Sequence, residues 1–442
     1  MTEPIQYRTA ARSAAGLVAE LEAAVADGTL APGQRLPSVR SLAREAGLSP
    51  ATVSAGLAEL RRRGVVVSEP RRGIRVGPRP PLSGPAPLPL PAGVRDLSRG
   101  NPDPALLPGL GAALRETALP VHLYGEPPEL EELLALARGA LGADGIPAEH
   151  LCVVSGALDG IERALAVRLR PGDRVAVESP GYAPLFDLLR TLGLGFEPVS
   201  IDARGMEPSA LETALSRGAR AVVVTPRGQN PTGAAHDAAR AAELRAVLGA
   251  HPGVLLVEDD HLGPIAGTPL HTLAGASDRW VAVRSVSKSL GPDLRLAVLA
   301  CDEATLASLR GRQAIGPGWV SHVLQRLVAH LWADPEVSAT VARARVLYAA
   351  RREALLAALA ARGLDASAVS GLNVWLPVAD EAGAVAALLS RGWAVGPGSR
   401  YELDGRGSAI RITASALEPA DAERFAGDAA LALAPARAIR SG

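Results

Sequence analysis

Lysine is almost absent from this chain of 442 residues: of its 46 basic side chains one, Lys288, is lysine and every other is arginine. Genomic base composition explains such a skew wherever charge alone is wanted. Arginine cannot replace a lysine whose neutral amine must attack a carbonyl, because a guanidinium stays protonated. Lys288 is therefore a candidate for covalent chemistry before any motif is considered. Cysteine is scarce as well. Cys152 and Cys301 stand far apart without metal-ligand spacing, which argues against a disulfide framework or a metal centre and fits a reducing compartment. No stretch reaches the roughly 18 apolar residues of a membrane span, and MTEPIQYRTA lacks the apolar core of a signal peptide. The expectation is a cytoplasmic protein with no membrane partner. Net charge is absent too, but unevenly: residues 1–76 carry 11 Arg against 7 Asp or Glu, and the rest carries 35 basic against 39 acidic groups. A basic end suits a DNA-contacting module.

What is plentiful is apolar material, 48% of residues, over a length that suits two or three domains. A boundary shows at once. GPRPPLSGPAPLPLPAG, from Gly77 to Gly93, is too rich in proline for helix or paired strand and reads as a semi-rigid spacer. The expected division is residues 1–76, a linker at 77–95, and residues 96–442.

In the first division, residues 13–28 have helical periodicity. Ser38 is placed to cap a short helix ending at Gly47, and Ser49 to cap a second with Pro50 at its first position. Two short helices on a tight turn form a helix-turn-helix, whose second helix enters the major groove. VVVSEPRRGIRV follows as a β-hairpin wing with Arg71 and Arg72 at its tip.

The third division alternates short apolar runs (DRVAVES, ARAVVVTP, GVLLVED, RWVAVRSV, LRLAVLA) with helical patterns. That predicts an open α/β sheet of buried parallel strands with helices on both faces, and a ligand beyond the carboxyl ends of the strands. From about Ala339 a long helix and short strands near Leu372–Pro377 and Ala409–Thr413 predict a smaller α+β domain. At the strand ends lies a set of groups with one chemistry in common. SVSKSLGPDLR supplies the amine of Lys288, with Ser285 and Arg295 able to hold a phosphate. SGALDG opens a helix whose amides, from Gly156 and Ala157 onward, suit the same anion. Asp259 in VEDDH is a carboxylate that a pyridinium would satisfy, Asn230 in GQNPTG a donor for a phenolic oxygen, and Tyr182 in ESPGY an aromatic to stack on a ring. Pyridoxal phosphate (PLP) asks for each of these.

Two resemblances follow from these motifs. GTLAPGQRLPSVRSLA, within residues 12–76, resembles the GntR family of winged-helix regulators. That likeness implies that Arg40 contacts DNA at the start of the recognition unit and that Ser49, Thr52 and Ser54 lie on the reading face. Pro50 stands where many relatives have arginine. Residues 96–434 resemble class I/II aminotransferases of fold type I, and the combination resembles MocR/GabR-type regulators. It implies a head-to-tail homodimer in which Tyr124 of LYGEP reaches the phosphate of the other subunit, and Arg411 of AIRIT as the group for a substrate α-carboxylate. Two departures stand out: His261 replaces the family's tyrosine near the ring-nitrogen Asp, and EPPELEELL replaces a Gly-x-x-x-Leu-Arg pattern, removing a positive charge. GNPDP and SGALDG are similar to members tied to vitamin B6 metabolism. The expected function is a transcription regulator on a double-stranded DNA operator, sensing PLP or an amino-acid effector. The alternative is a working aminotransferase with a vestigial DNA-binding head.

Overall fold

The structure, a computed structural model, describes residues 11–26, 29–31, 33–62, 65–69, 73–77, 90–403 and 407–433. Its two compact units are taken separately. In the N-terminal unit α1 (Ala14–Ala26), α2 (Val39–Ala46) and α3 (Pro50–Arg62) enclose Leu17, Leu21, Leu42, Val53, Leu57 and Leu60, all fully buried. Local chemistry sets the ends. Ser41 N–H donates to Ser38 Oγ at 3.2 Å, and Gly47, at φ 65°, closes α2 by donating to Ala43 O. Thr52 N–H donates to Ser49 Oγ at 3.0 Å, with Pro50 starting α3. Each such cap is worth about 1 kcal/mol.

The wing forms as expected, β1 (Val66–Glu69) antiparallel to β2 (Gly73–Val76) with Val66 opposite Val76. A third edge was not foreseen: Leu36 N–H donates to Ile74 O at 2.9 Å and Val76 N–H to Gln34 O at 2.8 Å. Arg71 and Arg72 at the tip, and linker residues 78–89, lie outside the described residues.

The second unit begins with β3 (Arg95–Asp96) and is built on a sheet of eight strands: β4 (Leu151–Val154), β5 (Arg174–Ser179), β6 (Gly195–Asp202), β7 (Gly205–Met206), β8 (Ala219–Val224), β9 (Leu255–Asp260), β10 (Arg279–Ser285) and β11 (Ala297–Cys301). Their order is β4-β11-β10-β9-β8-β5-β6-β7. All five expected strands are present, but the sheet is mixed. β8, β9 and β10 run parallel, whereas β11 runs antiparallel to both β10 and β4. An apolar run reports burial on two faces and says nothing of direction. The connection from Val286 to Leu296 is too short for the helical crossover that parallel neighbours need.

The long helix Pro335–Ala360 leads into the smaller α+β part, where β12 (Asn373–Pro377), β14 (Gly396–Pro397) and β15 (Ala409–Thr413) form a sheet in the order β12-β15-β14. Its core gathers Leu355, Ile410, Ile412, Trp393 and Phe425. β13 (Trp393–Ala394) pairs in parallel with β3 and so ties the start of this unit to the smaller part.

Candidate functional site

Lys288 follows β10 and its Nζ donates to the carbonyl of Gly100 at 2.7 Å. Burial, and then the charge of Arg411, bring its ammonium down to about 8. At pH 7 roughly one such amine in ten is neutral, against fewer than about one in a thousand at the ordinary value. That makes Lys288 a usable nucleophile.

Asp259 and Asp260 end β9 on opposite faces of the sheet, as strand alternation requires. Asp260 is saturated: Arg227 Nε and Nη2 donate to its two oxygens at 2.9 Å each, and Arg284 Nε lies 2.7 Å away. Burial pushes its carboxyl up, but Arg284 and Arg227 outweigh burial and hold it low. Asp259 has the reverse fate. Burial, with Asp260 and Glu178 adding repulsion, raises it to about 7. Its buried Oδ1 has no hydrogen-bond partner among the described residues. A buried carboxylate oxygen left open in this way is costly unless a cation or donor faces it.

His261 stands beside it, Nδ1 4.0 Å from Asp259 Oδ2. Burial and the nearby Lys288 bring the imidazole down to about 4, so it is neutral at pH 7 and offers one N–H and one lone pair. Arg411, buried on β15, donates from Nη1 to Asn230 Oδ1 at 2.9 Å and from Nη2 to Ser98 O, with its guanidinium 5.0 Å from the Tyr401 ring centroid. Because Asn230 accepts through its oxygen, its amide nitrogen remains for a phenolic oxygen. The Tyr182 hydroxyl is pushed up to about 12, by burial first and Asp259 next, so it stays protonated.

The phosphate candidates also converge. Gly156 caps the helix Ala157–Ala166 at φ 100° with no side-chain cap, which leaves the first-turn amides of that helix without such a partner. A Cβ added there would lie 3.1 Å from Arg295 Nη2, so glycine lets the guanidinium come over the helix start. Arg295 itself adopts φ 44°, the one described non-glycine residue with positive φ. Strain of this kind marks positions held for a purpose. Ser285, the last residue of β10, is buried and its Oγ accepts from Ser287 N–H at 3.2 Å, so its own proton is free to turn elsewhere. The open Asp259 oxygen and the Gly156–Arg295 cradle are what a phosphorylated pyridine would fit, with Lys288 the candidate amine.

One supporting residue was missed in the sequence. Gln229 Nε2 donates to Glu178 Oε2 at 3.1 Å and to Pro180 O at 2.9 Å, while its Oε1 accepts from Thr232. It stitches together the turns carrying Tyr182 and Asn230. Its only signal was its place inside GQNPTG. Tyr124 is not in this cluster. It is 93% exposed, edge-on to Trp319 at 5.4 Å.

In the N-terminal unit Arg40, Ser49 and Ser54 are exposed and Thr52 half-buried. The hydroxyls of Ser49 and Thr52 lie 2.8 Å apart, so Ser49 both caps α3 and stands at its outer end.

Residues 13–76 match the model of bacterial regulatory proteins of the gntR family, and residues 94–428 match aminotransferase class I and II. The vitamin B6 salvage pathway transcriptional repressor PtsJ of Salmonella typhimurium is 40% identical over 409 residues, spanning 91% of this chain and 94% of that protein. This chain belongs to the MocR-type regulators. A second MocR-type relative, the pyridoxine biosynthesis regulator PdxR of Corynebacterium glutamicum, is 30% identical over 76% of each chain. Among solved structures an archaeal alanine:glyoxylate aminotransferase aligns with a TM-score of 0.70 at 20% identity, over 77% of this chain and 90% of its own. The aspartate aminotransferase of Thermus thermophilus, as its tetra mutant, aligns at 0.68 and 21%, over 78% and 97%. These two establish the fold of the MocR-type body, a fold shared with PLP enzymes. Among the described residues no helix is long and apolar enough to cross a membrane, and no cluster of His, Cys, Asp or Glu suits a metal.

Proposed function

We propose that this MocR-type regulator binds PLP at Lys288 and changes its hold on operator DNA in response, controlling genes of vitamin B6 metabolism. The observation that carries this is the open oxygen of buried Asp259, in a chain whose sole lysine is itself lowered to about 8. Lys288 joins the cofactor's aldehyde, Asp259 and His261 face its ring, and Tyr182 stacks on it. Asn230 donates to the phenolic oxygen, while Gly156, Ala157, Ser285 and Arg295 hold the phosphate. When bound, PLP supplies an electron sink that withdraws charge from whatever amine it carries. The likeness to PtsJ and PdxR supports the vitamin B6 assignment. Arg411, whose Nη2 is held by the neutral Ser98 carbonyl that a carboxylate would displace, supports an amino acid as a second ligand. Arg40, Ser49, Thr52 and Ser54 face the operator, and two copies assemble head to tail with Tyr124 completing the opposite site.

The test has two parts. Borohydride added with PLP should fix the cofactor to a single peptide holding Lys288, and a folded Lys288→Ala protein should lose that label. Operator affinity, measured on a duplex selected by the protein from a random pool, should then differ with and without PLP by about 5- to 150-fold. PLP affinity must shift by the same factor when operator is present. Equal operator affinity at matched salt rejects PLP as effector. Sustained turnover of an amino donor with a keto acid would favour the aminotransferase reading.

A further inference from the structure

Residues Leu97–Asn101 cross the site as a strap. Thr413 N–H donates to Leu97 O at 2.8 Å, Gly100 N–H to Thr413 Oγ1 at 3.0 Å, and Ser415 Oγ–H to Asn101 O at 2.6 Å. Between these anchors two carbonyls receive two of the site's cationic groups. Gly100 O accepts from Lys288 Nζ at 2.7 Å, and Ser98 O accepts from Arg411 Nη2. Gly100 has φ +65°, and a Cβ there would sit 3.6 Å from Arg411 Nη1, an ordinary contact. Backbone conformation, and not space, is what calls for glycine. The strap is separated from the proline-rich segment that leads from the DNA-binding unit by Val94 and β3 (Arg95–Asp96).

We infer that Ser98–Gly100 is a release strap, which reports occupancy of the site to the linker by giving up its hold on Lys288 and Arg411. The inference rests on the proposed binding of PLP at Lys288. Condensation of the neutral amine with an aldehyde forms a carbon–nitrogen double bond, and the aldehyde oxygen leaves as water with both amine protons. The nitrogen then has at most one proton, which the phenolic oxygen competes for, so Gly100 O loses the donor from which it was accepting. A carbonyl deprived of its donor in a buried site is disfavoured, so the strap backbone turns away. At Arg411 a carboxylate outcompetes Ser98 O, because a charge-assisted fork is stronger than one bond to a neutral carbonyl. Cofactor and carboxylate ligand thus act on the same few residues at the root of the linker. Both loosen one element, and each favours its release.

The experiment uses the full-length protein. Hydrogen exchange of the peptide covering 96–103 is measured alone, with PLP and with inorganic phosphate, while PLP binding is followed separately by absorbance. PLP should speed exchange in this peptide at least about fivefold. Phosphate alone, which reaches the cradle but not the amine, should leave it unchanged. Ser415→Ala removes one anchor and should tighten PLP by about fivefold, the worth of one hydrogen bond, while shrinking the response of operator affinity to PLP. Gly100→Ala, which disfavours the left-handed backbone without a clash, should act in the same direction. PLP bound by absorbance with exchange unchanged overturns the strap and leaves the cofactor reading intact. No PLP absorbance overturns both. Variants with wild-type PLP affinity and wild-type operator response overturn the strap as well.

Discussion

Asp259 and Asp260 are neighbours in sequence and opposites in chemistry, and the difference comes from which face of β9 each occupies. Asp260 faces two guanidinium groups; Asp259 faces none. Its carboxyl titrates near 7 in the folded chain but near 3.9 when unfolded, so ionising it works against folding. That penalty is absent below about pH 4, grows as pH rises towards 7, and is full above it. Asp259→Asn should therefore raise the melting temperature by about 2 °C or more at pH 8 and by less at pH 5. The same change should weaken PLP by on the order of 10- to 100-fold, since it removes a charged partner of the ring. Calorimetry at the two pH values and a PLP titration check both. A rise in stability equal at the two pH values would mean that burial of the charge is not the cause.

At the scale of elements, α2 offers two substitutions two residues apart with separable effects. Ser38→Ala removes the cap and should cost the N-terminal unit about 1 kcal/mol, seen as faster exchange of the α2 amides. Arg40→Ala touches no cap and its side chain is exposed. It should leave stability alone and lower the slope of log operator affinity against log salt by about one. An unchanged salt slope would remove Arg40 from the DNA. The caps were legible in the sequence because a cap is a local bargain among residues three apart. The third edge of the wing at Gln34–Leu36 was not, because its hydrogen bonds are with Ile74 and Val76, which lie beyond both helices of the helix-turn-helix in the sequence.

The whole molecule leaves a stretch of apolar surface uncovered in the single chain: Val121 is 83% exposed, Leu123 61%, Tyr124 93% and Ile315 84%. His122 and Tyr124 both lean edge-on against Trp319, which holds this segment to the body. Soluble monomers seldom show such patches, and a second copy of the chain is the proposed cover. Val121→Asp with Leu123→Asp should raise the dimer dissociation constant at least about 30-fold in analytical ultracentrifugation. PLP affinity should fall with it, because Tyr124 would no longer reach the opposite site. Monomers that keep full PLP affinity would show the site to be complete within one chain.

The residues by themselves settled which chemistry was available. A single lysine among arginines was the sharpest signal, because an arginine cannot supply a neutral amine; the glycine opening a helix and the Asn-Pro turn drew meaning only from standing beside it. They also settled the order of domains, since a proline run cannot be mistaken for structure that folds. Tertiary structure decided the rest. The direction of β11, the stitching by Gln229 and the strap over Lys288 all depend on groups that meet only when distant segments pack. Gly100 is 188 positions from Lys288, and Ser98 is 313 from Arg411. Hydrophobic pattern reports how deeply a residue is buried, not what it will meet there. Asp259 shows the limit most clearly: its sequence neighbour Asp260 is satisfied by arginines from two other strands' ends, and only the fold left one of the two carboxylates open.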